Sequence, residues 1–424
     1  MPPLVLVPRF LARTMDARTA IAFLTLGLVI APVFLPGAEA ATLPGLGVND
    51  GGLAEMKAAG GSPSFSAFWV GKWTAGSGWG ALDNALQHAR ATGVTPVVLW
   101  YYWGNDGSPT CVQYGCNGKS RTEWNAMTST LASHLRTQMA GATSYVVLEN
   151  EFNKNGITGT YAPTFDGYLE ANARTLHGAA GVKVVLGYGS WGEADWHKFP
   201  RAIAASDVIG FQLMRASTRD SEASYRGAAD KIASELSFIK TLAPGKKAFL
   251  YDLALASYSG TYWANVQKDT ISSILARRGE YGSNGLAGIV YRGTRDDPNM
   301  NTKDWYGAAE VTWGLKTSTG AAKPAWWAWV GAAAGSATTT TPTSGYAPTF
   351  TPRSVGNEWW VQVTVGGSGA ASVCASINGG SCQALAHQSW GDWAASLHAP
   401  AGSRVTFTAT SSSGAKVTSG GYAW

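Results

Sequence analysis

The residues best suited to do chemistry stand where two apolar runs break off. Tyr145-Val-Val-Leu148 ends in Glu149-Asn150-Glu151, and Lys247-Ala-Phe-Leu-Tyr251 ends in Asp252. A carboxylate at the end of a buried strand costs free energy unless it is paired or used. Two carboxylates facing one another can cleave a glycosidic bond. One protonates the leaving oxygen, and the other attacks the anomeric carbon or activates a water. Asp252 is one methylene shorter than a glutamate. It is therefore either a nucleophile on a closer backbone or the base of an inverting reaction, in which the carboxyls stand roughly 6.5–9.5 Å apart.

These acids need a scaffold that brings strand ends together. Eight strand-like runs occur between residues 41 and 333: Leu43–Val48, Phe65–Val70, Thr95–Trp103, Tyr145–Glu151, Val182–Tyr188, Val208–Met214, Ala248–Leu253 and Leu286–Tyr291. Helical patterns lie between several of them, at Ala81–Thr92, Thr122–Met139, Tyr225–Leu242 and Trp263–Glu280. Such alternation predicts a parallel sheet. Eight strands in a segment of this length predict an α/β fold, a closed (β/α)8 TIM barrel, whose active site lies at the carboxyl ends of the strands. The first strand has the weakest signal, because Pro44 and Gly45 interrupt it.

The flanking segments are of other kinds. Arg9, Arg13 and Arg18 precede an apolar run, Ala20–Leu35, and Ala38-Glu39-Ala40 fits the small-residue cleavage rule. Residues 1–40 therefore read as a signal peptide, leaving a secreted, extracellular chain of 384 of the 424 residues. No later run of 18 apolar residues follows, so no membrane association is expected after cleavage. Gly331–Gly345 is low in complexity, and 334–345 is assigned as a linker. From 346 to 424 the pattern alternates with period two, and Asn378-Gly-Gly380 is a hairpin signal. This segment reads as a small all-β sandwich and a candidate carbohydrate-binding module. An exported chain permits disulfides, and local pairing is expected for Cys111/Cys116 and Cys374/Cys382. The net charge of +5 is scattered without a basic run, so no nucleic-acid partner is indicated. A monomer is expected.

Rings and polar groups at the strand ends are candidates for contacting sugar, since aromatic faces stack on pyranose C–H faces. Trp69 follows the second strand, together with Trp73. Trp103, Asn105 and Asp106 close the aromatic run Trp100-Tyr-Tyr-Trp103, two of whose four rings should pack in the core. Tyr188 and Trp191 follow the fifth strand, Gln212 and Arg215 the sixth, and Tyr291 and Arg292 the eighth. Asn150 would bond a sugar hydroxyl. On a regular strand Glu149 shares the face of Glu151, one layer deeper, and needs a partner such as Lys183 or Arg292. Other signals are decoys. Gly187-Tyr-Gly-Ser-Trp-Gly192 matches G-x-G-x-x-G, but no apolar helix follows it. No G-x-S-x-G or H-E-x-x-H occurs. Neither a metal nor an organic cofactor is expected.

Asn150-Glu151 after the fourth strand and Asp252 at the seventh resemble clan A retaining glycoside hydrolases, with the likeness spanning roughly residues 43–330. It includes Gly288-Ile-Val-Tyr-Arg-Gly-Thr-Arg-Asp-Asp297 as the eighth strand, and Glu310-Val-Thr-Trp-Gly-Leu315 with Lys323-Pro-Ala-Trp326 as the closing segment. The resemblance implies Glu151 as acid/base and Asp252 as nucleophile, where the clan usually has Glu. The terminal segment resembles small β-sandwich modules of secreted polysaccharide-active enzymes, on Asn378-Gly-Gly380, Ser389-Trp-Gly-Asp-Trp393, Pro400-Ala-Gly-Ser403 and the closing Tyr-Ala-Trp424. The expected function is endo-acting hydrolysis of a polysaccharide, a β-glucan or related β-glycan, with retention. The alternatives are inversion with Asp252 as base, or a non-catalytic polysaccharide-binding protein.

Overall fold

The computed structural model describes residues 43–49, 51–154, 159–190, 193–334, 348–353, 357–367, 369–411 and 416–424. The expected signal peptide and linker residues 335–345 lie outside the described residues. Each of the eight apolar runs overlaps a strand: β1 (Gly45–Asn49), β2 (Phe65–Val70), β3 (Thr95–Trp100), β4 (Ser144–Leu148), β5 (Val182–Gly189), β6 (Val208–Arg215), β7 (Lys247–Leu255) and β8 (Leu286–Tyr291). They pair in parallel in chain order, and β8 pairs back to β1, closing the barrel. Both faces of this sheet are buried, which is why its strands read as nearly continuous apolar runs.

Side chains alternate between the two faces. Phe65, Val97, Leu99, Val147, Val185, Phe249, Tyr251 and Val290 fill the barrel interior. Val98, Val146, Val184, Ile209, Leu250 and Ile289 face outward, packing with Leu86, Leu131, Leu169, Leu236 and Ile271 of the surrounding helices. The Tyr251 ring occupies interior space that two glycines leave open. A Cβ at Gly210 would lie 2.8 Å from Tyr251 Cδ1, and a Cβ at Gly187 would lie 2.5 Å from Val147 Cγ1. The first glycine of the decoy motif thus serves packing. Helices occupy Gly80–Ala91 and Arg121–Met139, as expected. The expected Tyr225–Leu242 helix is interrupted at Gly227, giving Glu222–Arg226 and Ala228–Leu242.

One irregularity decides the position of Asp252. Phe211 and Gln212 of β6 are adjacent, but their partners on β7 are Leu250 and Asp252, so β7 carries one extra residue. The register with β8 slips over the same stretch, between Leu250 and Leu253. Phe249 and Tyr251 face inward and Leu250 outward before the bulge; Leu253 and Leu255 face outward after it. The bulge therefore turns two consecutive residues, Tyr251 and Asp252, to the same inner side. Without it, alternation would aim Asp252 at the helices.

Beyond the barrel, β9 (Thr349–Pro352), β10 (Val361–Gly366), β11 (Ala370–Ile377), β12 (Gln383–His387), β13 (Trp393–Ala395), β14 (Arg404–Ser411), β15 (Lys416–Thr418) and β16 (Tyr422–Ala423) form an antiparallel sheet. It differs from two separate sheets in that β12 pairs with both β11 and β13, so one curled sheet encloses the core. Val361, Val363, Leu385, Val405, Phe407 and Trp424 form that core. Asn378 (φ 50°) and Gly379 (φ 75°) make the hairpin turn, which needs positive φ at both central positions. Both disulfides are local, Cys111–Cys116 and Cys374–Cys382. At the seam with the barrel, the half-buried Arg404 lies against Gly331 of the helix Pro324–Ala333, where an added Cβ would stand 3.0 Å from its Nη2.

Gly210→Ala should destabilise the barrel by about 1–3 kcal/mol through overpacking against Tyr251. Thermal unfolding measures this, and an unchanged midpoint would show that the interior can yield.

Candidate active site

The chain turns sharply at the end of β4. Glu149 and Glu151 both adopt the left-handed region, with φ 48° and 57°. This conformation costs a side-chain-bearing residue about 1–2 kcal/mol and persists only where the surroundings impose it. The Glu149 carboxylate provides the anchor. The Trp103 N–H donates to Oε1 at 2.9 Å, the Gly104 N–H to the same oxygen at 3.3 Å, and the Tyr102 N–H to Oε2 at 3.3 Å. Its partners are thus the amides of the loop after β3, not Lys183, which reaches Asp207 at 3.6 Å, nor Arg292. Burial pushes the Glu149 carboxyl up to about 8, against the opposing pull of the three amides.

The same turn presents Glu151 to β6 instead of continuing the strand. Glu151 Oε1 accepts from Gln212 Nε2, and Oε2 accepts from Lys154 Nζ at 2.8 Å. Gln212 is the register partner of Asp252, so one side chain on β6 links the two strand ends that carry the acids. Asp252 is buried, and its Oδ2 accepts from Arg292 Nη1. Burial raises its pKa above the ordinary carboxylate value, Arg292 pulls it down, and Glu151 adds to the rise. Burial works to lower the Arg292 pKa, but Asp252, Glu151 and Glu310 outweigh it and hold it above the usual value. The guanidinium also lies 5.5 Å from the centre of the Trp69 ring. Asp252 Oδ1, Gln212 Oε1, Asn150 Oδ1 and Asn49 Oδ1 are buried without a hydrogen-bond partner among the described residues. Unused acceptors beside two carboxylates suit a ligand rich in hydroxyl donors.

The candidates from sequence divide into those gathered here and those that are not. Glu151, Asp252, Gln212, Arg292 and Trp69 come together, with Glu149 beneath. Trp103 contributes its N–H to Glu149, but its ring is buried against Tyr102 and Trp124. Asp106 is tied to Lys119 at 2.9 Å and to Asn117, bracing the loop, while Asn105 beside it is exposed. Tyr188 points outward, its hydroxyl on Glu235 and its ring on Trp196. Tyr291 also points outward, its hydroxyl donating to Leu255 O at 3.0 Å. Parity explains both, since Tyr188 follows Val184 and Leu186 in the outward row, and Tyr291 follows Ile289. Arg215 braces the loop after β6, with Nε 3.6 Å from Asp220 Oδ1. Trp191 lies outside the described residues.

The main aromatic missed from sequence is Tyr101. It continues the inward row of Val97 and Leu99, and its ring meets Trp69 edge-on with centroids 5.7 Å apart. Burial, then Glu151 and Glu149, raise its hydroxyl pKa. Trp103 has the same parity, but β3 ends at Trp100 and the chain turns toward the short helix Gly104–Asp106, which takes the Trp103 ring out of that row. Lys154 and Asn49 were also missed. Among the described residues no group of three His, Cys, Asp or Glu is placed to hold a metal ion.

The Glu149 environment predicts a pH-dependent stability. The unfolded carboxyl loses its proton near 4.5, whereas the folded one keeps it to about 8. Between these values the folded state binds more protons, so stability falls as pH rises, by up to roughly 1.4 kcal/mol per pH unit. Glu149→Gln should flatten this part of the curve of melting temperature against pH. An unaltered slope would show that another group controls it.

No family model and no curated protein matches the chain. Solved structures do match. An exo-β-1,4-mannosidase from Opitutaceae bacterium strain TAV5 is 12% identical over 68% of this chain and 59% of that one, with a TM-score of 0.52. A modular endo-β-1,4-mannanase from Cellulomonas fimi is 15% identical over 89% and 93%, with a TM-score of 0.43. A family 39 glycoside hydrolase from Bacteroides cellulosilyticus WH2 is 11% identical over 84% and 79%, with a TM-score of 0.48. The likeness to the mannosidase is one of fold alone.

Proposed function

We propose that the chain is a glycoside hydrolase acting on a β-linked polysaccharide, with Glu151 and Asp252 as its catalytic pair. One observation carries the reading. Two acids from β4 and β7, each placed by a local break in regular strand geometry, flank Gln212 at the carboxyl end of a closed barrel.

In the favoured double displacement, an Asp252 oxygen forms a bond to the anomeric carbon as the glycosidic bond breaks, and Glu151 gives its proton to the departing oxygen. Glu151 then takes a proton from water, whose oxygen displaces Asp252 and restores both groups. Arg292 holds Asp252 Oδ2, leaving Oδ1 for attack. Gln212 steers Glu151, and Trp69 and Tyr101 supply ring surface for the sugar. If the reaction inverts, Asp252 activates the water directly.

The terminal sheet is proposed as a carbohydrate-binding module. Trp359 and Trp390 are 62% and 60% exposed, and Trp359 is held flat against His398 with centroids 4.1 Å apart. Exposed, oriented rings suit an extended polymer. The two disulfides, and the lack of a membrane-spanning helix among the described residues, fit a secreted or soluble protein.

Glu151→Gln and Asp252→Asn should each lower turnover at least about a thousandfold on a glycan the wild type cleaves, with the fold intact. Near-wild-type turnover in either variant would remove that residue from the pair. The anomer first released, followed by nuclear magnetic resonance, separates retention from inversion. Replacing Trp359 and Trp390 with Ala should reduce retention on insoluble polymer and leave hydrolysis of soluble oligosaccharides unchanged. Undiminished retention would place polymer binding elsewhere.

A further inference from the structure

The loop after β8 carries a second aromatic feature on the face that holds the two acids. Trp305 is 67% exposed, yet it is firmly held. Arg219, from the loop after β6, lies over its ring at 4.5 Å and donates from Nε to Trp305 O at 2.6 Å. Next to it, Thr218 Oγ1 donates to Tyr306 O at 2.7 Å. The Tyr306 hydroxyl donates to Met214 O at 3.1 Å, and its N–H to Glu310 Oε1 at 3.1 Å. Two loops from different strands are thus stitched together beneath one indole.

The burial pattern gives this loop a meaning. Tyr306 and Trp313 pack inward with Ala216, Ala254 and Ala309, making a small apolar cluster of their own at the barrel mouth. Trp305 alone turns to solvent. The guanidinium covers one face of its ring, and among the described residues no other ring or cation stacks on it. Leaving a large apolar surface in water is unfavourable, and fixing its backbone adds an entropic cost. Both costs have already been met when a flat ligand arrives, which is how preorganised sites gain affinity. A pyranose ring, with hydrophobic C–H faces and a polar rim, fits a flat indole with one open face. Among the described residues Trp305 makes no hydrogen bond or ring contact with Glu151, Asp252 or Arg292, so its ligand would be a sugar unit other than the one these three hold.

We propose that Trp305, buttressed by Arg219, is a distal subsite that stacks a sugar unit of a polymeric substrate remote from the bond being cleaved. This rests on the glycosidase reading and adds that the substrate is a chain several units long. Trp305→Ala, Trp305→Phe and Arg219→Ala would be compared with wild type on gluco- and manno-oligosaccharides of two to six units and on the corresponding polymers. Trp305→Ala should raise KM about 10- to 100-fold for the longest substrates, leave kcat within about twofold, and leave the shortest cleaved substrate unaffected. Trp305→Phe should retain most of the affinity, and Arg219→Ala should fall between. Equal losses on short and long chains, or no loss on any, would overturn the proposal. If the wild type cleaves none of these glycans, the glycosidase reading fails separately. The ring is then tested by affinity electrophoresis in the same polymers, where equal mobility of wild type and Trp305→Ala overturns it.

Discussion

A strand in a closed barrel can show only every second side chain to the interior, and this alternation governs the molecule. It sets which residues fill the barrel, which meet the helices, and which reach the mouth. Tyr251 and Asp252 cannot both face inward on a regular strand. The bulge in β7 admits both, so that the ring fills the interior while the carboxylate beside it emerges among polar groups. Gly187 and Gly210 complete the arrangement by yielding space to the ring. Interior packing and the aim of an acid are therefore one problem, solved at two adjacent positions.

At β4 the solution is of another kind. The strand ends in a left-handed turn whose strain is offset by a carboxylate sunk beneath the loop after β3. Glu149 shows how backbone amides can serve where a cation would be expected. Three N–H groups occupy the acceptors of a carboxyl that burial keeps protonated up to about pH 8, so no charge pair has to be desolvated in the interior. The geometry of Glu151 is consequently bound to the conformation of residues 102–104, on a different strand.

Much of this plan can be read from the chain. Eight apolar runs, the acids at two of their ends, the Asn378-Gly379 turn and the local cysteine pairs follow from patterns within a few residues. Parity separates inward Arg292 from outward Tyr291, and it too is local information, whereas Tyr101 and Trp103 share a parity and are parted only by the turn that follows β3 at Trp100. The β7 bulge is different, because it depends on how neighbouring strands pack around Tyr251. The partner of Glu149 is likewise hidden, since amide donors carry no residue signature. Trp305 shows no periodicity, and its orientation comes from Arg219, 86 residues earlier.

The Cys111–Cys116 bridge joins residues only five apart. The entropy gained by closing a loop grows with the logarithm of its length, so so short a clasp limits the unfolded chain by only about 2 kcal/mol. Its influence is on local shape. Cys116 pairs with Lys119, whose ammonium binds Trp103 O at 2.8 Å, and the Trp103 amide holds Glu149. A thiol reductant would therefore slacken the rim around the acids while the barrel stays folded, making the redox state of the surroundings a control on alignment more than on survival.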